Sequence, residues 1–137
     1  MSIAIAAGSS APAASRIMVV DDDQLIRAVI LDILSSPEFD VVTATGAREC
    51  LHHLREGFRG VILMDVQMPG VNGWDTIREI QQAGMLEGNI IVMLTAVEPP
   101  DERMEGLQEV VIDYIRKPFV SRDIIAAVRK YGSYLEQ

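Results

Sequence analysis

Short apolar runs without polar alternation, each stopping at a polar residue and followed by helical periodicity, constrain this chain more than any other feature. Ile17-Met18-Val19-Val20 stops at Asp21-Asp22-Asp23, Val61-Ile62-Leu63-Met64 at Asp65, and Ile90-Ile91-Val92-Met93-Leu94 at Thr95. Such runs suit strands buried on both faces, the environment of a parallel sheet covered by helices. Phe39 to Thr45 and Ile112 to Ile115 supply two further strands.

After the first strand, Leu25, Ile26, Val29, Ile30, Ile33 and Leu34 recur at helical spacing from Gln24 to Leu34, with an Asp as N-cap and Ser35-Ser36-Pro37 as the stop. Further helices are expected over Ala47 to Arg55, from about Trp74 to Ala83 with Gly84 ending it, and over about Asp101 to Glu109. A last one runs from a Ser121 cap to about Tyr134. Five strand–helix pairs with short connections predict an α/β fold, a doubly wound five-stranded parallel sheet, because each right-handed crossover lays its helix on a sheet face.

At 137 residues the chain has room for one such unit. Residues 1–15 are rich in Ala, Ser, Gly and Pro without the basic start and long apolar stretch of a secretory signal, and read as a flexible tail before a domain over 16–137. Twenty acidic against 12 basic residues leave a net charge of −8. That is the wrong sign for direct contact with nucleic acid or an anionic membrane surface, which clustered Lys and Arg recognise. The apolar runs fall far short of the roughly 20 residues of a membrane span. Cys50, the only cysteine, has no disulfide partner and no metal-ligand spacing, so a reducing, cytoplasmic setting is expected.

In open α/β sheets, ligands gather where strands end. The first strand delivers Asp21, Asp22 and Asp23, the third Asp65, the fourth Thr95, and the fifth leads into Lys117. Neighbouring strands lie about 4.8 Å apart, so carboxylates at adjacent ends converge on one small volume. Their repulsion calls for a cation, and oxygen ligands without His or Cys favour Mg²⁺ over an all-protein Ca²⁺ cage. A hydroxyl and an ammonium aimed into the same pocket complete a site for a phosphoryl group, with Asp65 as the nucleophile.

The four segments Ile17 to Asp23, Ile62 to Gly70, Val92 to Ala96 and Asp113 to Phe119 resemble the hallmark segments of response regulator receiver domains of two-component signalling. The match runs from Arg16 to about Tyr134. The resemblance implies a flavodoxin-like sheet with strand order 2-1-3-4-5, and a role for each matching position. Asp65 is the implied phosphoacceptor; Asp21, Asp22, Asp65 and the backbone carbonyl of Gln67 are the implied Mg²⁺ ligands. Thr95 and Lys117 are the implied phosphoryl contacts, and Tyr114 the aromatic residue whose rotamer follows phosphorylation. Pro118 matches a cis-proline position, while Gly70 and Gly73 match the tight turns of the loop after Asp65. Asp23 receives no metal role and is left to cap the first helix. The implied upstream partner is a histidine kinase or histidine phosphotransfer protein. Downstream, the resemblance implies a protein target or a second copy on the face of helix four, strand five and helix five.

The chain departs from the pattern at Val110-Val111-Ile112, where the family commonly carries Gly-Ala. These residues either make that face unusually apolar or extend the core. His52 and His53 are adjacent on a helix, lack the spacing of a metal pair and read as surface; Trp74 reads as packing against sheet or loop, and the Met residues as core filler.

The implied function is a phosphorylation-dependent switch, a phosphoprotein that assists only its own phosphorylation and dephosphorylation. An aspartyl-phosphate phosphatase of the haloacid dehalogenase kind needs a second Asp two residues after the nucleophile, where Gln67 stands and cannot ionise. A flavin carrier needs a neutral loop after the first strand, where three aspartates would repel the flavin phosphate. A stand-alone regulator acting on another protein is expected, the alternative being a receiver module cut from a larger multidomain regulator or hybrid kinase.

Overall fold

Strands β1 (Arg16–Val20), β2 (Asp40–Ala44), β3 (Val61–Asp65), β4 (Ile90–Thr95) and β5 (Val111–Arg116) pair in parallel in the order β2-β1-β3-β4-β5, the order implied by the resemblance. The computed structural model describes residues 12–68, 71–95 and 110–136. The expected helix over about Asp101 to Glu109, residues 1–11 of the expected tail, and Pro69-Gly70 lie outside them. The three most apolar runs occupy the centre of the sheet. There both faces are covered, and every residue of β3 is buried.

Alternation along these strands divides the core in two. Met18, Val20, Ile62, Met64, Ile91 and Met93 face α2 (Ala47–Arg55) and α3 (Gly73–Gln82), meeting Leu51, Leu54, Ile77 and Ile80. Ile17, Val19, Val61, Leu63, Val92 and Leu94 face α1 (Gln24–Ile33) and the C-terminal helix (Ser121–Tyr134), meeting Ile30, Ile124 and Val128. Each such side chain stabilises the fold by about 1.5–3 kcal/mol relative to exposure.

The helix ends follow local chemistry. Asp23 caps α1, its carboxylate accepting the Leu25 N–H at 2.9 Å. Gly84 ends α3 with φ of 73°, and the Met85 N–H reaches back to the Ile80 carbonyl at 3.0 Å. Ser121, expected as a cap, is instead the first helical residue. Val120 takes the cap position with extended backbone and no side-chain bond, and its carbonyl accepts the Asp123 N–H at 3.0 Å. Ala13–Ser15, within the stretch read as tail, forms a 3-10 turn beside the C-terminal helix.

His52 is exposed as expected, but His53 is half-buried and its Nε2–H donates to the Thr43 carbonyl at 2.9 Å. An edge strand leaves backbone groups unpaired, and this ring satisfies one of them. After β3, Gln67–Met68 and Val71–Asn72 pair as a short antiparallel hairpin where the sequence suggested only a loop.

Between β4 and β5 the register jumps. Ile91 pairs with Val111 but Val92 with Asp113, leaving Ile112 as an extra residue. Val111 is buried and Val110 packs against the same cluster, whereas Ile112 is 42% exposed. The departure at 110–112 therefore does both things expected of it, two residues extending the core and one adding to the surface.

Candidate functional site

Val20 of β1 pairs with Met64 of β3, and one residue further along each chain come Asp21 and Asp65. The central strands thereby carry two carboxylates to the rim of the sheet side by side, 0% and 5% exposed respectively. Asp22 is exposed, and one carboxylate oxygen from each of Asp21, Asp22 and Asp65 lies within 4.8 Å of the others. Asp21 is fixed from both ends. Its Oδ1 accepts the Asp23 N–H at 2.9 Å, and its carbonyl accepts an Arg27 guanidinium N–H at 2.7 Å.

Lys117, just past β5, answers this charge. Its Nζ donates to Asp65 Oδ1 at 3.1 Å and to Asp21 Oδ2 at 3.4 Å. Burial works to lower the lysine pKa, but the Asp65 and Asp21 carboxylates outweigh it and hold Lys117 above the ordinary lysine range. The ammonium is therefore charged at neutral pH. Its backbone N–H bonds the Thr95 carbonyl at 2.7 Å, joining the ends of β4 and β5. Thr95 itself is buried, 6% exposed. The Lys117–Pro118 peptide is cis, as implied for Pro118.

One ammonium against three converging carboxylates leaves the cluster negative. An oxygen-only donor set, open to solvent through Asp22, fits a hard divalent cation that keeps part of its water shell.

Gly73 opens α3 directly beneath the site. Its N–H bonds the Val66 carbonyl at 2.7 Å, and a Cβ there would stand 2.3 Å from the Asp65 carbonyl oxygen. Only glycine allows that approach. Gly70, the other expected turn residue, lies outside the described residues, and of Gln67 the backbone is described within the hairpin.

Tyr114 of β5 is 43% exposed and its ring lies 6.2 Å from that of Trp74, the buried second residue of α3. Burial raises the Tyr114 pKa. On the opposite face of β5, Asp113 accepts the Tyr114 N–H at 2.7 Å and the Tyr131 hydroxyl at 2.5 Å. The bond to Asp113, with burial, pushes Tyr131 up to about 12. Sequence reasoning assigned neither Asp113 nor Tyr131 a role. The available signal is a carboxylate inside a strand beneath a helix, which must find a donor.

A family model for the response regulator receiver domain matches residues 17–129. The transcriptional regulatory protein CpxR homolog of Haemophilus influenzae is 34% identical over 115 residues, covering 84% of this chain and 49% of that protein. The phosphate regulon transcriptional regulatory protein PhoB of Escherichia coli is 32% identical over 116 residues, covering 85% and 51%. The chain thus spans about half the length of these curated relatives. A CheY-like response regulator receiver domain protein from Methanospirillum hungatei superposes with a TM-score of 0.85 at 42% identity, covering 90% of this chain and 98% of that one.

Proposed function

This chain belongs to the response regulator receiver family, and on that premise we propose that it is a phosphorylation-dependent switch whose acceptor is Asp65. The observation that carries the proposal is the buried Asp65 carboxylate, flanked by those of Asp21 and Asp22 and paired with Lys117 at 3.1 Å. A carboxylate oxygen of Asp65 attacks the phosphorus of a phosphohistidine; the new P–O bond forms as the P–N bond breaks, and the imidazole leaves with a proton from solvent. Lys117 meets the negative charge that arrives, and the Thr95 hydroxyl offers it a donor.

Mg²⁺ is the cation proposed for this site, held by Asp21, Asp22, Asp65 and the backbone carbonyl of Gln67. When bound it neutralises oxygens of the incoming group. The proposed donor is a histidine kinase or a histidine phosphotransfer protein. Leu25, 68% exposed, and Val29 one turn later give the helix that starts beside Asp22 an apolar strip against which such a protein can dock. For output we propose a protein target or a second copy on the face that includes β5 and the C-terminal helix, supported by the exposed Ile112 and Tyr114. Turnover of an external phosphoester is not part of the proposal, because Gln67 cannot serve as a proton shuttle.

The test is incubation with a small phosphodonor and Mg²⁺, read by intact mass. One phosphoryl adduct is expected on the wild type, none in chelator and none on Asp65→Asn. An unmodified wild type, or an undiminished adduct on the variant, overturns the proposal. For output, sedimentation with and without a phosphoryl mimic should show self-association; one unchanged monomer removes the second-copy branch.

A further inference from the structure

We propose that Trp74 is a positioning residue for Tyr114, so that the stance of a half-exposed ring on β5 is set by an indole anchored to the backbone of the acceptor. The inference rests on the switch reading above and adds the part that ties the acceptor to β5. Gly73 sits against the Asp65 and Val66 carbonyls, and Trp74 is the next residue. Its indole is 2% exposed, part of the apolar cluster beneath α2 and α3. Tyr114 differs: 43% of it meets solvent, and Trp74 is the aromatic ring beside it, at 6.2 Å and tilted 51°.

A buried ring beside a half-exposed one sets the balance between a packed and a solvent-facing stance of the latter. An aromatic pair at this distance changes such a two-state ratio by roughly 2- to 12-fold. Any displacement of the segment after Asp65 moves Trp74 with it, and Tyr114 follows because its packing surface has moved. Tyr114 pairs in register with Met93, two residues before Thr95 on β4, so the ring lies near the strand ends that carry the proposed phosphoryl contacts.

The experiment uses the full chain labelled with 3-fluorotyrosine and read by fluorine NMR. The chain has three tyrosines, and Tyr114→Phe identifies the resonance of interest. Without phosphodonor, Trp74→Leu should shift the Tyr114 ratio towards the exposed stance by about 2- to 12-fold, while phosphoryl uptake by intact mass stays within twofold of wild type. Trp74→Phe keeps a smaller ring and should shift the ratio less in the same direction, so the test stands if the leucine variant does not fold. A Tyr114 resonance identical to wild type in the folded variants overturns the inference. A wild type that takes no phosphoryl group overturns the switch reading instead and leaves the donor-free comparison intact.

Discussion

The Lys117 ammonium and the Asp65 carboxylate meet at 3.1 Å across strands that are not neighbours, for β4 runs between β3 and β5. The lysine thus reaches over the end of β4, past Thr95, and binds the rim of the sheet together. Removing it takes an ammonium away from two buried carboxylates. In chelator, Lys117→Met should lose about 2–3 kcal/mol in urea unfolding, below the roughly 3–5 kcal/mol of a fully buried pair because the rim is open to water. Asp65→Asn should shift stability the other way, by relieving repulsion from Asp21.

Asp22 and Asp23, neighbours in one run, should separate in a Mg²⁺ titration of thermal unfolding. Wild type gains about 1.4 kcal/mol when the free ion is ten times its Kd. Asp22→Ala should lose most of that gain and change little in chelator, since its side chain is exposed. Asp23→Ala should keep the gain and lose about 1 kcal/mol under both conditions, the value of an N-cap.

Alkaline pH should expose the Tyr131–Asp113 bond. The folded pKa of Tyr131 is raised from 10.0 to about 12 by the hydrogen bond to Asp113 and by burial. Above pH 10 the unfolded chain therefore releases its proton first, and stability that is complete below pH 10 is lost as pH rises through about 12. The hydroxyl lies on a groove between β5 and the C-terminal helix, where solvent screening limits the loss to about 1–2 kcal/mol. Denaturant midpoints measured from pH 8 to 12 should show this step in wild type and lack it in Tyr131→Phe.

Two glycine substitutions should part stability from chemistry. Gly73→Ala drives a methyl group to 2.3 Å from the Asp65 carbonyl oxygen. A shift of α3 is then unavoidable, costing about 1–3 kcal/mol and slowing phosphoryl uptake. Gly84→Ala strains only the end of α3, where φ is 73° and space is open. It should cost about 1–2 kcal/mol and leave uptake unchanged.

The centre of the sheet and the core of the site are legible in the residues alone for one shared reason. A strand buried on both faces admits only apolar side chains, so Ile17–Val20 and Val61–Met64 announce themselves and the polar residues that stop them mark the rim. Where structure depends on more than one element, the sequence is silent. Ser121 is a better cap than Val120 by residue type, yet the helix already begins at Ser121 and the extended Val120 takes the cap position. His53 looks like surface until the edge strand next to it presents a carbonyl. Trp74 and Tyr114 lie 40 residues apart in numbering, and nothing local to either announces their contact.

The extra residue at Ile112 acts as a half-period phase shift. Val111 faces the layer of α2 and α3, and an uninterrupted strand would send Asp113 and Ile115 the same way, with Tyr114 opposite. Instead Asp113 and Ile115 share the face of Val92 and Leu94, and Tyr114 shares that of Met93. Pairing Ile112 regularly with Val92 would turn Tyr114 away from Trp74 and Asp113 away from Tyr131 at once, whereas deleting it would leave both facing as they do. The contacts of Tyr114 and Asp113 thus depend on where the bulge falls and not on which side chain fills it.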